Sequence, residues 1–144
     1  MKKNSLVFFI PKRQKVTGQW MAGESISAGF PSPADDFKEN RISLDKELIK
    51  NKEATFYARV DGESMINAGI NHGDILIIDR SLNPENGRIC VCLLNGDFTV
   101  KRIKKEDRKI YLVPENKNFQ KIEIKEGNEL IIWGIVTYVI KSVL

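Results

Sequence analysis

Ile89-Cys90-Val91-Cys92-Leu93-Leu94-Asn95-Gly96-Asp97-Phe98-Thr99-Val100-Lys101-Arg102-Ile103 sets two apolar runs on either side of Asn-Gly-Asp. Asn-Gly accepts the positive φ angles that a tight hairpin turn demands, so the stretch reads as two antiparallel strands. On either side the same grammar repeats. Thr55-Phe56-Tyr57-Ala58-Arg59-Val60 reads as a strand ended by Asp61-Gly62. Ile75-Leu76-Ile77-Ile78 reads as a buried strand closed by Asp79 and the turn Asn83-Pro84-Glu85-Asn86-Gly87. Lys109–Val113, Ile122–Ile124 and the long run Leu130–Ile140 continue the series. Many short strands, glycine-rich turns and little helix predict a mostly β fold whose sheet is curled and partly closed.

Ahead of these strands the pattern weakens. Through residues 1–40, Gly18, Gly23 and Gly29 recur, Pro31-Ser32-Pro33 stiffens the chain, and no clean helical or strand period survives. These residues are expected to form a flexible, extended N-terminal arm, and residues 41–144 the β-rich domain, with its strands starting near Ala54. Between Glu39 and Lys50, Ile42, Leu44, Leu48 and Ile49 flank charged positions, which suits a short strand or a helical turn.

A chain of 144 residues fits one domain with a proper core, and 42% hydrophobic with 29% charged residues is ordinary for a soluble protein. The N-terminal apolar run Leu6–Ile10 follows Lys2-Lys3 but is cut off by Pro11-Lys12-Arg13, too short for an export signal. Nothing reaches the roughly 18 apolar residues of a membrane span. The expected location is the cytoplasm, with no membrane partner. Cys90 and Cys92 lack the spacing of a zinc or redox motif, and a bridge between them would be strained, so they read as packing or surface residues. With them and the lone His72, which sits in a turn, no metal or cofactor site is expected and no Ser-His-Asp triad is possible.

The net charge of +4 is unevenly spread. Lys2, Lys3, Lys12, Arg13 and Lys15 stand against Glu24 in residues 1–28, so the whole excess sits there and the remainder is balanced. A neutral body offers no obvious polyanion surface, which argues against direct sequence-specific DNA binding. A short basic tail that merely stays solvated would carry the same charge.

One chemistry remains open. A serine needs a base to become a nucleophile, and a lysine made neutral by burial can supply it. Lys101 lies within an apolar strand, on the face of Thr99 and Ile103, whereas most other lysines fall in loops or charged runs such as Lys104-Lys105-Glu106-Asp107. Ser64 follows a strand and Gly62, in a sharp turn where a hydroxyl stands clear and backbone N–H groups converge. A serine after a glycine turn and an in-strand lysine that snorkels to solvent are equally compatible with these residues.

Resemblance narrows the choice. Ala28-Gly29-Phe30-Pro31-Ser32-Pro33-Ala34, Gly62-Glu63-Ser64-Met65-Ile66, Gly73-Asp74-Ile75-Leu76-Ile77 and Gly96-Asp97-Phe98-Thr99-Val100-Lys101 form an ordered set. In order and spacing this set resembles the LexA/UmuD self-cleaving peptidase family, from about residue 25 onward. The short segment before the small Ala28-Gly29 pair, and Phe30–Ala34 after it, favour the UmuD type over LexA repressors with their N-terminal helix-turn-helix domain. Alanine stands before the glycine, where the UmuD pattern often has cysteine. The resemblance implies that Ser64 is the nucleophile and Lys101 the general base. The backbone N–H groups of Glu63 and Ser64 would steady the oxyanion, and Ala28–Gly29 would be the scissile bond. It further implies a homodimer, self-cleavage stimulated by a RecA–single-stranded DNA filament, and a UmuC-like translesion polymerase as partner of the trimmed dimer in SOS mutagenesis. The rivals are a signal peptidase without its anchor, a fragment of a phage-type repressor, and a non-enzymatic β-rich dimerisation module.

Overall fold

A computed structural model describes residues 5–9, 19–22 and 39–144. Its strands are β1 (Ser5–Phe9), β2 (Gln19–Ala22), β3 (Glu39–Ile42), β4 (Thr55–Asp61), β5 (Ile75–Asp79), β6 (Ile89–Leu94), β7 (Asp97–Glu106), β8 (Lys109–Val113), β9 (Ile122–Ile124) and β10 (Leu130–Ile140). One short helix, α1 (Leu44–Leu48), follows β3. Two compact units emerge. The smaller holds the antiparallel pair β2–β3, in register from Gln19↔Ile42 to Ala22↔Glu39, and α1. The larger holds β1 and everything from Asn51 to Leu144. Among the described residues no helix is long and apolar enough to cross a membrane.

The larger unit is one antiparallel sheet of eight strands in the order β1-β4-β5-β10-β6-β7-β8-β9. Its centre is the hairpin anticipated from Asn95-Gly96. The two residues take φ of 49 and 88, the left-handed pair that a type I′ turn requires, and β6 and β7 pair from Leu94↔Asp97 to Ile89↔Arg102. The sheet curls, as expected from its many short strands. β1 and β7 are five places apart in the strand order, about 24 Å if the sheet were flat at roughly 4.8 Å per strand. Yet the rings of Phe8 on β1 and Phe98 on β7 lie 4.9 Å apart. Two bulges in β10, at Ile132/Gly134 against β6 and at Val136/Tyr138 against β5, supply part of the bend.

Curling divides the apolar side chains into two clusters. One collects Ala58, Val60, Met65, Leu76, Ile78, Val91 and Val100, with Leu6, Phe8, Phe98 and Trp133 packed against it. The other collects Cys90, Cys92, Ile103, Leu112 and Ile135. Burial of each such side chain contributes about 1.5–3 kcal/mol, so the two clusters dominate the stability of the unit. Alternation along β6 explains the division: Val91 faces one cluster, Cys90 and Cys92 the other.

Three strands fall where the sequence shows no clean period. β1, β2 and β3 all lie within or across residues 1–40 or their boundary, and β1 belongs to the larger sheet. A five-residue apolar run carries too little pattern to announce an edge strand, because its partner β4 is about fifty positions away in the chain. Between Glu39 and Lys50 both readings hold, strand β3 and then one turn of helix.

Candidate active site

β4 delivers the chain to Asp61, and Gly62, at φ 127, lets it turn at an angle that other residues rarely adopt. Ser64 therefore sits just past the strand end, with Met65 buried behind it and a single 3-10 turn, Ile66–Ala68, closing the loop. The segment after β8 grips this turn from outside. Asn116 Nδ2 donates to the Glu63 carbonyl at 2.8 Å, Asn67 N–H donates to the Glu115 carbonyl at 2.7 Å, and Glu115 N–H donates to Met65 Sδ at 3.3 Å. Asn116 is itself only 6% exposed.

Lys101 enters from the opposite side. It stands in the middle of β7 directly across from Cys90, with Thr99 across from Cys92. Its ammonium nitrogen lies 3.0 Å from Ser64 Oγ, 2.6 Å from Thr99 Oγ1 and 3.0 Å from the Val100 carbonyl oxygen. Both Ser64 and Lys101 are 5% exposed. No ion pair among the described residues includes Lys101. Burial without a counter-charge disfavours the ammonium form and pulls its pKa from 10.5 down to about 8, with Cys92 and Cys90 pushing weakly the other way. The Cys90 thiol is held neutral by its hydrogen bond with Cys92 and by burial, which both push its pKa upward.

The donor count at Lys101 is informative. An ammonium has three N–H groups, one for each oxygen around it. A neutral amine has two, which suffice for Thr99 Oγ1 and the Val100 carbonyl, and its lone pair is then free to accept the Ser64 hydroxyl proton. Thr99 thus orients the amine by hydrogen bonding. The Glu63–Ser64 peptide is oriented as well. In a trans peptide the C=O and the following N–H point opposite ways, so Asn116 on the Glu63 carbonyl turns the Ser64 N–H to the other side. Neither the Glu63 nor the Ser64 N–H meets an acceptor among the described residues.

The sequence profile of the peptidase S24-like family matches residues 19–137, a span that takes in this constellation and most of the sheet. The chain belongs to the peptidase S24-like family. Among its relatives, Protein MucA of Salmonella typhimurium is 40% identical over 116 residues, covering 80% of this chain and 79% of MucA. Protein ImpA of Shigella flexneri is 39% identical over 114 residues, covering 78% of this chain and 77% of ImpA. The LexA repressor of Clostridium kluyveri is 42% identical over 102 residues, 71% of this chain and half, 50%, of that repressor.

Seen as a member of the S24-like family, the chain brings Ser64, Lys101 and the Glu63–Ser64 turn together in space, although 37 positions separate serine and lysine. Ala28 and Gly29 lie outside the described residues. His72 stays apart: its side chain is 69% exposed and pairs with Asp61 at 3.1 Å. Cys90 and Cys92 are free thiols, both fully buried, so of the two roles open to them packing is the one they fill. Sequence reasoning missed Asn116 and Leu6. Asn116 sits in Pro114-Glu115-Asn116-Lys117-Asn118, which has the composition of any solvated loop. Leu6 lines the small cavity beside Ser64 together with Val60, Met65, Thr99 and Val100, a closure that only the curled sheet brings about.

Proposed function

We propose that the chain is a self-cleaving serine peptidase of the UmuD type, with Ser64 as nucleophile and Lys101 as general base. The observation that carries this reading is the 3.0 Å approach of Lys101 Nζ to Ser64 Oγ in a buried pocket that lowers the lysine pKa to about 8. Neutral Lys101 takes the hydroxyl proton as Ser64 Oγ attacks the Ala28 carbonyl carbon. The oxyanion of the tetrahedral intermediate is steadied by the Glu63 and Ser64 N–H groups. Collapse breaks the Ala28–Gly29 bond, the proton on Lys101 passes to the Gly29 nitrogen, and an ester joins Ser64 to Ala28. Water, deprotonated by Lys101, then hydrolyses the ester and restores Ser64.

The likeness to MucA and ImpA supports a place in SOS mutagenesis, and we place that role in the cytoplasm. On this reading a RecA–single-stranded DNA filament stimulates the cut, and the trimmed homodimer serves as accessory subunit of a UmuC-like translesion polymerase, without reading DNA sequence itself. Trimming discards the entire +4 excess carried by residues 1–28 and leaves a charge-balanced body.

Intact-mass spectrometry of the purified chain at pH about 9, beside Ser64→Ala, tests the reading. The expected result is conversion of the unaltered chain alone to a species beginning at Gly29. Both proteins remaining whole, with and without an activated RecA filament, would overturn it.

A further inference from the structure

β1 lies along the edge of β4, paired over five positions from Ser5↔Asp61 to Phe9↔Tyr57. Its side chains alternate as a bound peptide strand's would. Val7 is 61% exposed, while Leu6 enters the cavity beside Ser64 and Phe8 packs at 4.9 Å against both Phe98 and Trp133. β1 is thus hydrogen-bonded to β4 on one side and leans across the curl onto β7 on the other. An exposed sheet edge with pockets for alternate side chains is the recurring form of strand-addition recognition: the backbone ladder gives affinity, the pockets give selectivity.

We infer that the β4 edge and the pockets beneath it form a docking groove for an extended peptide with apolar side chains two residues apart, of the Leu-x-Phe kind. β1 fills this groove in the intact chain. While β1 is tethered, its effective concentration is about millimolar, which keeps the groove closed to outside strands. In sequence, residues 10–54 join β1 to β4. Cutting between Ala28 and Gly29 leaves the 1–28 piece held without a covalent link, by β1 on β4 and β2 on β3, so its docking becomes bimolecular and open to dilution, a release that rests on the function proposed above. The severed chain then presents β4 as an open edge, ready for an extended segment of a partner protein.

The groove can be tested without any cutting. A fluorescein-labelled peptide with the sequence of residues 4–11 is titrated by anisotropy into the full chain and into the full chain carrying Leu6→Asp and Phe8→Asp. Undocking β1 in the double variant is expected to tighten peptide binding about ten-fold or more, and a peptide with the same two aspartates is expected to bind neither protein. Both copies of a double-variant dimer carry the aspartates, so strand exchange between copies cannot fill the groove. Equal binding to both proteins, or no binding to a cooperatively folded double variant, would overturn the inference. Should the double variant not fold, amide exchange in the unaltered chain decides: Leu6–Phe8 amides exchanging as fast as those of the Asn83–Gly87 turn would overturn it, and clear protection supports it. A chain that binds the peptide yet never shortens keeps the groove and loses the peptidase. A chain that shortens yet never binds does the reverse.

Discussion

Just beyond the end of β10, Lys141 donates to the Asp74 carboxylate and to Asn71 Oδ1; under the β6–β7 hairpin, Lys101 finds, among the described residues, only the hydroxyls of Ser64 and Thr99 and the Val100 carbonyl. The two residues have the same side chain and differ in what surrounds it. Where a buried carboxylate waits, the lysine is a strut that ties the chain end to the β4–β5 connection. Where neutral oxygens alone wait, the charge itself is disfavoured, which suits the same side chain to the role of base proposed above. The site is therefore made as much by the absence of an acid near Lys101, among the described residues, as by the presence of Ser64.

Exchanging or deleting the two lysines separates these roles. Lys101→Ala is expected to slow self-cleavage by about 10³-fold or more, whereas Lys141→Ala should leave the rate within about two-fold. The decay of intact chain, followed by mass spectrometry, reads both. Stability should move the other way for Lys101. Its folded pKa is about 8 and its ordinary value 10.5, so at neutral pH the folded state holds a proton it binds weakly. Stability rises as pH climbs from about 8 to about 10.5, because there the unfolded chain binds the extra proton. Lys101→Met should therefore raise the unfolding free energy at pH 7 by about 2–3 kcal/mol, an advantage that closes across that window, as urea titrations at several pH values would show.

Smaller effects test what surrounds the lysine. Asn116→Ala, which frees the Glu63 carbonyl, should lower the plateau rate about 10- to 100-fold while the pH midpoint stays in place, since the turn and not the base is disturbed. A shifted midpoint would show that Asn116 acts through Lys101 instead. Lys141→Ala should cost about 1–2 kcal/mol of stability in urea, by leaving the buried Asp74 carboxylate without its cation.

Legibility followed the range of the interactions. The Asn95-Gly96 turn is a local matter of backbone angles, so the hairpin, and with it the place of Lys101 within an apolar strand, could be read directly, whereas its burial came only with the structure. Ser64 stood out as a serine after a glycine turn, but its partnership with Lys101 depended on family resemblance, because nothing local links residues 37 positions apart. Asn116 and Leu6 were illegible for the same reason carried further. Each reaches the site through a closure of the sheet, β8 folding its following loop onto the Ser64 turn and β1 crossing the curl towards β7, and neither has a distinctive sequence neighbourhood. The cysteines show the converse: their spacing said what they are not, and the register showed that they share the face of Lys101 and Thr99.

The most direct measurement is the rate of self-cleavage from pH 6 to 11, without any activator. A neutral Lys101 acting as base requires the rate to rise about ten-fold per pH unit at first, bend near pH 8 and stay level above it. A rate that is flat across pH 6 to 9, or one that climbs without bending until the ordinary lysine value of 10.5, would contradict the claim that burial has made Lys101 the base.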